Sequence, residues 1–175
     1  MPLTGKEMFD DYHKIIQLQN QFYKNLDIRL INFQPELESQ EYYAHSGLLN
    51  DHRIQWRIAK KTPKKVGYFV TTWKRNAEHL TTPYDVEDEV EFFVINVKDR
   101  DQIGQFIFPK KILISKNIIS TSSTEGKRGI RVYTPWDLTD NRQAHITQSW
   151  QMLYFFDFNK PHQENHSRIQ EILQL

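Results

Sequence analysis

Hydrophobic residues recur every three or four positions near the start of the chain, which is the spacing of one face of a helix. These positions are taken by Met8, Tyr12, Ile15, Ile16, Phe22 and Leu26. Thr4 and Glu7 precede most of them with the spacing of a capping box. The pattern predicts a first helix over residues 5–26.

A period of two residues follows, which is typical of strands. Ile54, Trp56 and Ile58 alternate with polar residues, and residues 92–97 form an apolar run of the kind found in strands covered on both faces. Strands are predicted over residues 41–49, 53–61, 66–75, 90–97 and 103–108. Asn50 is expected in the turn between the first two.

The second half of the chain mixes short elements. The pattern there predicts a short helix over residues 109–114, a loop over 120–129, a strand over 129–133 and a last short helix within 159–175. Asp140 and Gln143 have N-cap spacing ahead of an amphipathic segment with Ile146, Trp150 and Tyr154 on its apolar face. The order predicts an α+β (mixed α/β) fold with a single central mixed sheet flanked by helices.

Length and composition narrow the class of protein. The 175 residues fit one domain over residues 1–175 that ends in a short C-terminal tail. The chain has no cysteine, which excludes disulfides and thiol nucleophiles. Neither a signal peptide nor an apolar stretch of membrane-spanning length is present. We therefore expect a cytoplasmic protein without a membrane partner, in an oligomeric state that the sequence leaves open.

Charge is strongly segregated along the chain. Residues 52–77 contain eight Lys or Arg and no Asp or Glu, whereas residues 78–101 contain eight acids against Lys98 and Arg100. A concentrated positive surface attracts polyanions, because neutralised phosphates release counterions. The alternative is a solvated face that the following acids neutralise.

The basic residues predict a nucleic-acid-binding surface. A hairpin around residues 62–65 would place Lys60 near Lys65, and the glycines of residues 126–129 would let backbone and side chains hold a second phosphate. Trp73 or Trp136 would offer a face to an unstacked base. The candidate binding residues are Arg53, Arg57, Lys60, Lys64, Lys65, Trp73, Lys74, Arg75, Lys127, Arg128 and Arg131.

Nuclease chemistry is less well supported. A Mg²⁺-dependent site needs two or three carboxylates and often a Glu-x-Lys on a strand. The Glu-x-Lys at residues 125–127 lies in the predicted loop. Two predicted strands contain a related triplet whose third residue is basic but whose first residue is not an acid. These triplets are Gln55-Trp56-Arg57 and Thr72-Trp73-Lys74. We therefore predict no catalytic residue, no metal ligand and no cofactor.

Two alternatives stay open. One is an active Mg²⁺-dependent nuclease whose rearranged ligands are Asp51, Asp85, Glu91 and Glu125. The other is a protein-interaction module linked to drug response, whose basic face meets an acidic protein or the acidic strip of a second copy.

Several stretches taken together resemble the MepB-like family of small bacterial proteins. They are residues 60–70, 73–75, 104–110, 126–133, 135–137 and 147–151. The resemblance runs over about residues 26–156. It implies a fold similar to the restriction-endonuclease-like PD-(D/E)XK class and nucleic-acid binding by a protein whose catalytic site is degenerate. The combination of aromatic residues and charge, without a recognition helix of the major-groove kind, favours single-stranded DNA or RNA as the ligand.

Overall fold

A computed structural model describes residues 3–160 and 162–174, without the side chains of residues 162 and 163. Its helices and strands follow each other broadly in the order that the sequence predicts. The helices are α1 (Gly5–Asn25), α2 (Lys110–Ser115), α3 (Arg142–Gln151) and α4 (His166–Gln174). The strands are β1 (Leu30–Pro35), β2 (His45–Leu49), β3 (His52–Ile58), β4 (Lys60–Lys61), β5 (Tyr68–Thr71), β6 (Trp73–Arg75), β7 (Thr81–Pro83), β8 (Phe92–Asp99), β9 (Gln102–Pro109), β10 (Gly129–Val132) and β11 (Phe155–Asp157).

A six-stranded sheet in the order β1-β2-β3-β8-β9-β11 forms the centre of the fold. β3 and β8 run parallel, and the other neighbours run antiparallel. This confirms the predicted α+β class with a central mixed sheet flanked by helices. Two smaller sheets, β10-β5-β4 and β6-β7, were not predicted.

Two hydrophobic cores lie on opposite faces of the central sheet. The first, under α1 and α4, includes Phe22, Trp56 and Ile172. The second, under the β10-β5-β4 sheet and α2, includes Phe93 and Val132. The last short helix predicted within residues 159–175 is confirmed as α4, which contributes three buried residues to the first core. Among the described residues, no helix has both the length and the apolar character of a membrane span.

Helix caps explain where α1 and α3 begin. The capping box is confirmed, since Glu7 N–H donates to the Thr4 hydroxyl at 3.2 Å and Thr4 N–H donates to the Glu7 carboxylate at 2.7 Å. The cap predicted at Asp140 is wrong by one residue. The side chain of Asn141 accepts from Ala144 N–H at 2.9 Å, so α3 begins one residue later.

The predicted apolar face of α3 is confirmed at Trp150, which packs against the second core, but the buried side of the helix also carries two glutamines. Ile146, predicted on that face, is exposed, whereas Gln148 and Gln151 are buried. Gln148 Nε2 donates to the Thr134 carbonyl at 2.8 Å. Tyr133 N–H donates to Gln151 Oε1 at 2.8 Å. The two amides dock α3 onto backbone that follows β10, because that backbone would otherwise be buried without partners.

Two predicted strands are each divided between sheets. The strand predicted over residues 53–61 leaves the central sheet after Ala59, whose N–H donates to the Asn96 carbonyl at 2.9 Å, and its last part, β4, joins the smaller sheet. β5 and β6 separate at Thr72, whose N–H donates to the Arg128 carbonyl at 2.9 Å. Alternation alone does not reveal such a change of partner, since both halves keep a period of two.

A buried network of side chains links α1 to the middle of the central sheet. Gln105 Nε2 donates to Gln19 Oε1 at 2.8 Å and to Asn96 Oδ1 at 2.7 Å. Tyr23 O–H donates to Gln105 Oε1 at 2.6 Å, and Trp56 Nε1 donates to Gln19 Oε1 at 2.7 Å. Burial raises the pKa of Tyr23. The Tyr23 phenol therefore stays protonated and donates its hydrogen to Gln105.

We expect Gly104→Ala to destabilise the protein by about 2 kcal/mol, the usual cost of overpacking a core. A Cβ at this position would overlap the Phe155 ring and lie 2.9 Å from the Phe156 carbonyl oxygen. Urea denaturation measures the loss. Gly5→Ala is the control, because nothing lies within 4 Å of its added Cβ. Unchanged stability of the Gly104 variant would contradict the close packing of β9 against β11.

Candidate nucleic-acid interface

The predicted basic hairpin is confirmed. β4 and β5 pair antiparallel, with Lys60 opposite Phe69 and Lys61 opposite Tyr68. The connecting residues 62–67 carry Lys64 and Lys65, which are exposed. Lys60, Lys64 and Lys65 therefore lie at one end of one hairpin.

β10 places Arg131, which is distant in sequence, next to the same hairpin. It pairs with the other edge of β5, with Arg131 opposite Phe69. Residues directly opposite each other in antiparallel strands point to the same face. Lys60, Phe69 and Arg131 thus form a row across one face of the small sheet, while Tyr68 and Val132 on the other face are buried in the second core. We call Lys60, Lys64, Lys65 and Arg131 the hairpin cluster.

The charges of the hairpin cluster are not neutralised. Within the described part of the chain, none of its four cations pairs with a carboxylate. Lys60 Nζ lies 4.8 Å from the centre of the Tyr42 ring. Arg131 donates to the Val66 carbonyl at 3.1 Å and to the Thr62 hydroxyl. Arg131 therefore holds the connecting loop through neutral partners, and none of these partners neutralises it.

Four other candidate residues are paired with acids. Arg53 lies 2.9 Å from Glu89, Lys74 2.5 Å from Asp88, Arg75 3.9 Å from Glu38 and Arg128 2.9 Å from Glu125. Two of these partners come from the acidic segment that follows the basic run in sequence. The predicted continuous basic face is therefore corrected to a smaller surface, because part of it is neutralised as the alternative reading expected.

Arg57 does not belong to the surface, which corrects another prediction. Its side chain is 2% exposed. It donates to the Thr71 carbonyl and, at 3.3 Å, to the Trp73 carbonyl. Burial lowers the pKa of Arg57, and the Tyr84 hydroxyl opposes that effect. The guanidinium joins β3 to the start of β6, and no ligand in solvent can reach it.

Trp73 and Lys127 lie beyond the opposite end of the small sheet. Trp73 is half-buried, with the Arg75 guanidinium 5.4 Å from its ring centre. Lys127 is exposed and, in the described part of the chain, has no carboxylate partner. Trp136 is half-buried and donates to the Tyr68 hydroxyl at 3.1 Å. Lys127 adds one free charge, and neither tryptophan lies in the hairpin cluster.

The carboxylates proposed as alternative metal ligands are not gathered into a metal site. Among the described residues, no three His, Asp or Glu side chains form a group that could hold a metal ion. Glu91 accepts from Arg53 N–H at 2.8 Å, and Asp85 accepts from Glu87 N–H at 3.0 Å. Glu125 pairs with Arg128 in a loop. These three carboxylates therefore have local partners instead, and the fourth candidate, Asp51, is exposed in the turn between β2 and β3.

A pocket of about 470 Å³ lies over the β1-β2-β3 side of the central sheet. Gln34, Ser46 and Gln55 form a row across these strands and line it together with Tyr84. Gln55 Oε1 is buried without a partner among the described residues. Burial raises the pKa of Tyr84 to about 12. The sequence does not reveal this pocket, because the mostly exposed β1 lacks the alternation that predicts a strand.

Comparison with known proteins assigns the chain to a family. A family model described as MepB-like matches residues 36–157. A solved structure described as the crystal structure of MepB is 35% identical, with a TM-score of 0.74, and the match covers 83% of this chain and 97% of that one. A bacterial homing endonuclease, I-Ssp6803I, is 14% identical with a TM-score of 0.44, over 81% of this chain and 89% of that one. No curated protein matches significantly. The chain belongs to the MepB-like family.

Proposed function

We propose that the protein binds nucleic acid, with single-stranded DNA or RNA preferred, through the hairpin cluster. The observation that carries the proposal is that Lys60, Lys64, Lys65 and Arg131 converge from separate parts of the chain without a neutralising carboxylate. Free cations gain most from phosphates because they have no internal ion pair to break. A location in the bacterial cytoplasm belongs to the same proposal.

We also propose that the protein binds without cutting. In the Gln55-Trp56-Arg57 stretch of β3, an amide and a buried guanidinium stand where a nuclease strand would carry a carboxylate and a lysine. A neutral amide oxygen attracts Mg²⁺ far less than a carboxylate does. A guanidinium that donates to backbone carbonyls stays protonated and does not activate water.

Salt titration tests the binding half of the proposal. With about four phosphates of a single strand neutralised, the logarithm of affinity should fall against the logarithm of salt concentration with a slope of about −3. Fluorescence anisotropy with labelled single-stranded DNA, single-stranded RNA and duplex DNA measures it. A slope near zero on every ligand would overturn the proposal.

Incubation of the same labelled strands with Mg²⁺ or Mn²⁺ tests the other half. We expect the strands to stay intact, with and without chelator, under conditions in which they are bound. Cleavage that chelator abolishes, and that Gln55→Ala reduces, would show that the pocket over β3 is an active nuclease site.

A further inference from the structure

The partly exposed face of the small sheet carries an aromatic ring between two cations. Phe69 stands between Lys60 and Arg131 in the cross-strand row. Phe69 is half-buried, because it packs against the second core while part of the residue stays accessible to solvent. The Tyr42 ring meets it at 64°, with 6.2 Å between ring centres.

Gly129 lets the Phe69 ring lean over the neighbouring strand. A Cβ at residue 129 would overlap the end of the ring and lie 2.9 Å from Phe69 Cε2. Gly129 is on β10, an edge strand of the small sheet, and an aromatic ring from the adjacent strand covers such a glycine. The ring therefore extends over Gly129 of β10, while the residues directly opposite Phe69 on the two neighbouring strands are the cations Lys60 and Arg131.

We propose that Phe69 is a stacking platform for one unpaired base, with the hairpin cluster holding the phosphates on either side of that base. The inference rests on the proposed function and adds the residue that selects single strands. A base in a duplex already stacks on its neighbours and cannot offer a free face, whereas a base in a single strand can. Charge alone would attract both forms, so the preference has to come from the ring.

A purely structural role for Phe69 makes a different prediction. If the ring only covers Gly129, its loss should change stability but should affect every polynucleotide equally. Stacking instead predicts a loss confined to strands with accessible bases. The ratio of affinities for single strand and duplex therefore separates the two roles.

The experiment compares Phe69→Leu with Phe69→Tyr, which keeps a ring for stacking. The ligands are a labelled twelve-nucleotide thymidine strand, an abasic strand of equal length and a duplex. Phe69→Leu should weaken thymidine-strand binding about tenfold, within the usual contribution of one base–aromatic stack, and the other two less than about twofold. Phe69→Tyr should stay within about twofold of the original protein on every ligand. Phe9→Leu, at an exposed aromatic on α1, is the matched control.

The outcomes separate failure of this inference from failure of the proposed function. An equal loss on the abasic strand and duplex, or no loss on the thymidine strand, overturns the stacking role while salt-dependent binding stands. Absence of binding to all three ligands by the original protein overturns both. Gly129→Ala provides a second variant, since its Cβ displaces the ring while Phe69 remains, and it should show the same selective loss. A Gly129 variant that is folded and binds thymidine strands normally would count against the platform.

Discussion

Reversing three charges of the hairpin cluster should nearly abolish binding. For Lys60→Glu combined with Lys64→Glu and Lys65→Glu, we expect affinity for a single strand to fall roughly 100-fold at moderate salt, since several charge-assisted contacts are lost and repulsion replaces them. Binding titrations with a labelled strand measure the fall. The remaining affinity should also depend less steeply on salt, because fewer phosphates are neutralised.

A variant with the same change of net charge provides the control. Lys6, Lys14 and Lys24 are exposed on α1, which packs on the opposite face of the central sheet. Reversing these three lysines should weaken binding by less than about fivefold, through the long-range field alone. If the two triple variants lose affinity equally, net charge rather than the hairpin cluster governs binding.

Removing the centre of the buried network should be the most damaging change to stability. Gln105→Ala removes the hydrogen-bond partner of the Tyr23 hydroxyl and of Asn96 Oδ1. It also opens a cavity between α1 and the sheet. Each buried unpaired group costs about 1–3 kcal/mol, so we expect a total loss of about 4 kcal/mol. The midpoint of urea unfolding measures it.

Two comparisons make this stability prediction specific. Gln102→Ala removes an exposed glutamine from the same strand and should cost less than about 0.5 kcal/mol. Gln105→Met fills most of the space without making the hydrogen bonds, so it should recover only the part of the loss that comes from the cavity. If Gln105→Ala costs less than about 1 kcal/mol, the network does not stabilise the fold as described.

Local sequence patterns predicted the helices and strands themselves more reliably than the pairing between strands. The α1 cap and the β4-β5 hairpin were predicted because the spacing of Thr4 and Glu7, and the alternation on either side of Pro63, are properties of neighbouring residues. The central mixed sheet was also predicted. Its strand order, with β3 next to β8, depends on packing between distant segments that the patterns do not encode.

Arg57 shows why the candidate surface was larger in the sequence than in the structure. Alternation placed it on the same side of a strand as Arg53, on a face expected to meet solvent. Because a second layer covers that face near Arg57, only Arg53 is exposed. The pairing of Lys74 with Asp88 is likewise a contact between different segments. Phe69 was missed as a platform, since its position between two cations exists only once β10 pairs with β5.

Family membership establishes the fold of the protein, whereas the charged surface bears on its function. Membership in the MepB-like family fixes the fold and leaves the chemistry to the site, because one fold serves many functions. In this chain four cations that lack a carboxylate partner among the described residues lie together at one hairpin, and the β3 pocket is lined by the amide of Gln55. That combination favours a protein that holds a strand over one that cuts it.

Mapping the contact surface by NMR tests the central claim most directly. Titration of the isotope-labelled protein with a single strand of about ten nucleotides reports which backbone amides change their environment. The account predicts that the shifts are concentrated in residues 60–69 and 129–131, and that they disappear as salt is raised. Shifts concentrated on α1 or around the pocket over β1-β2-β3, or no shifts at low salt, would contradict it.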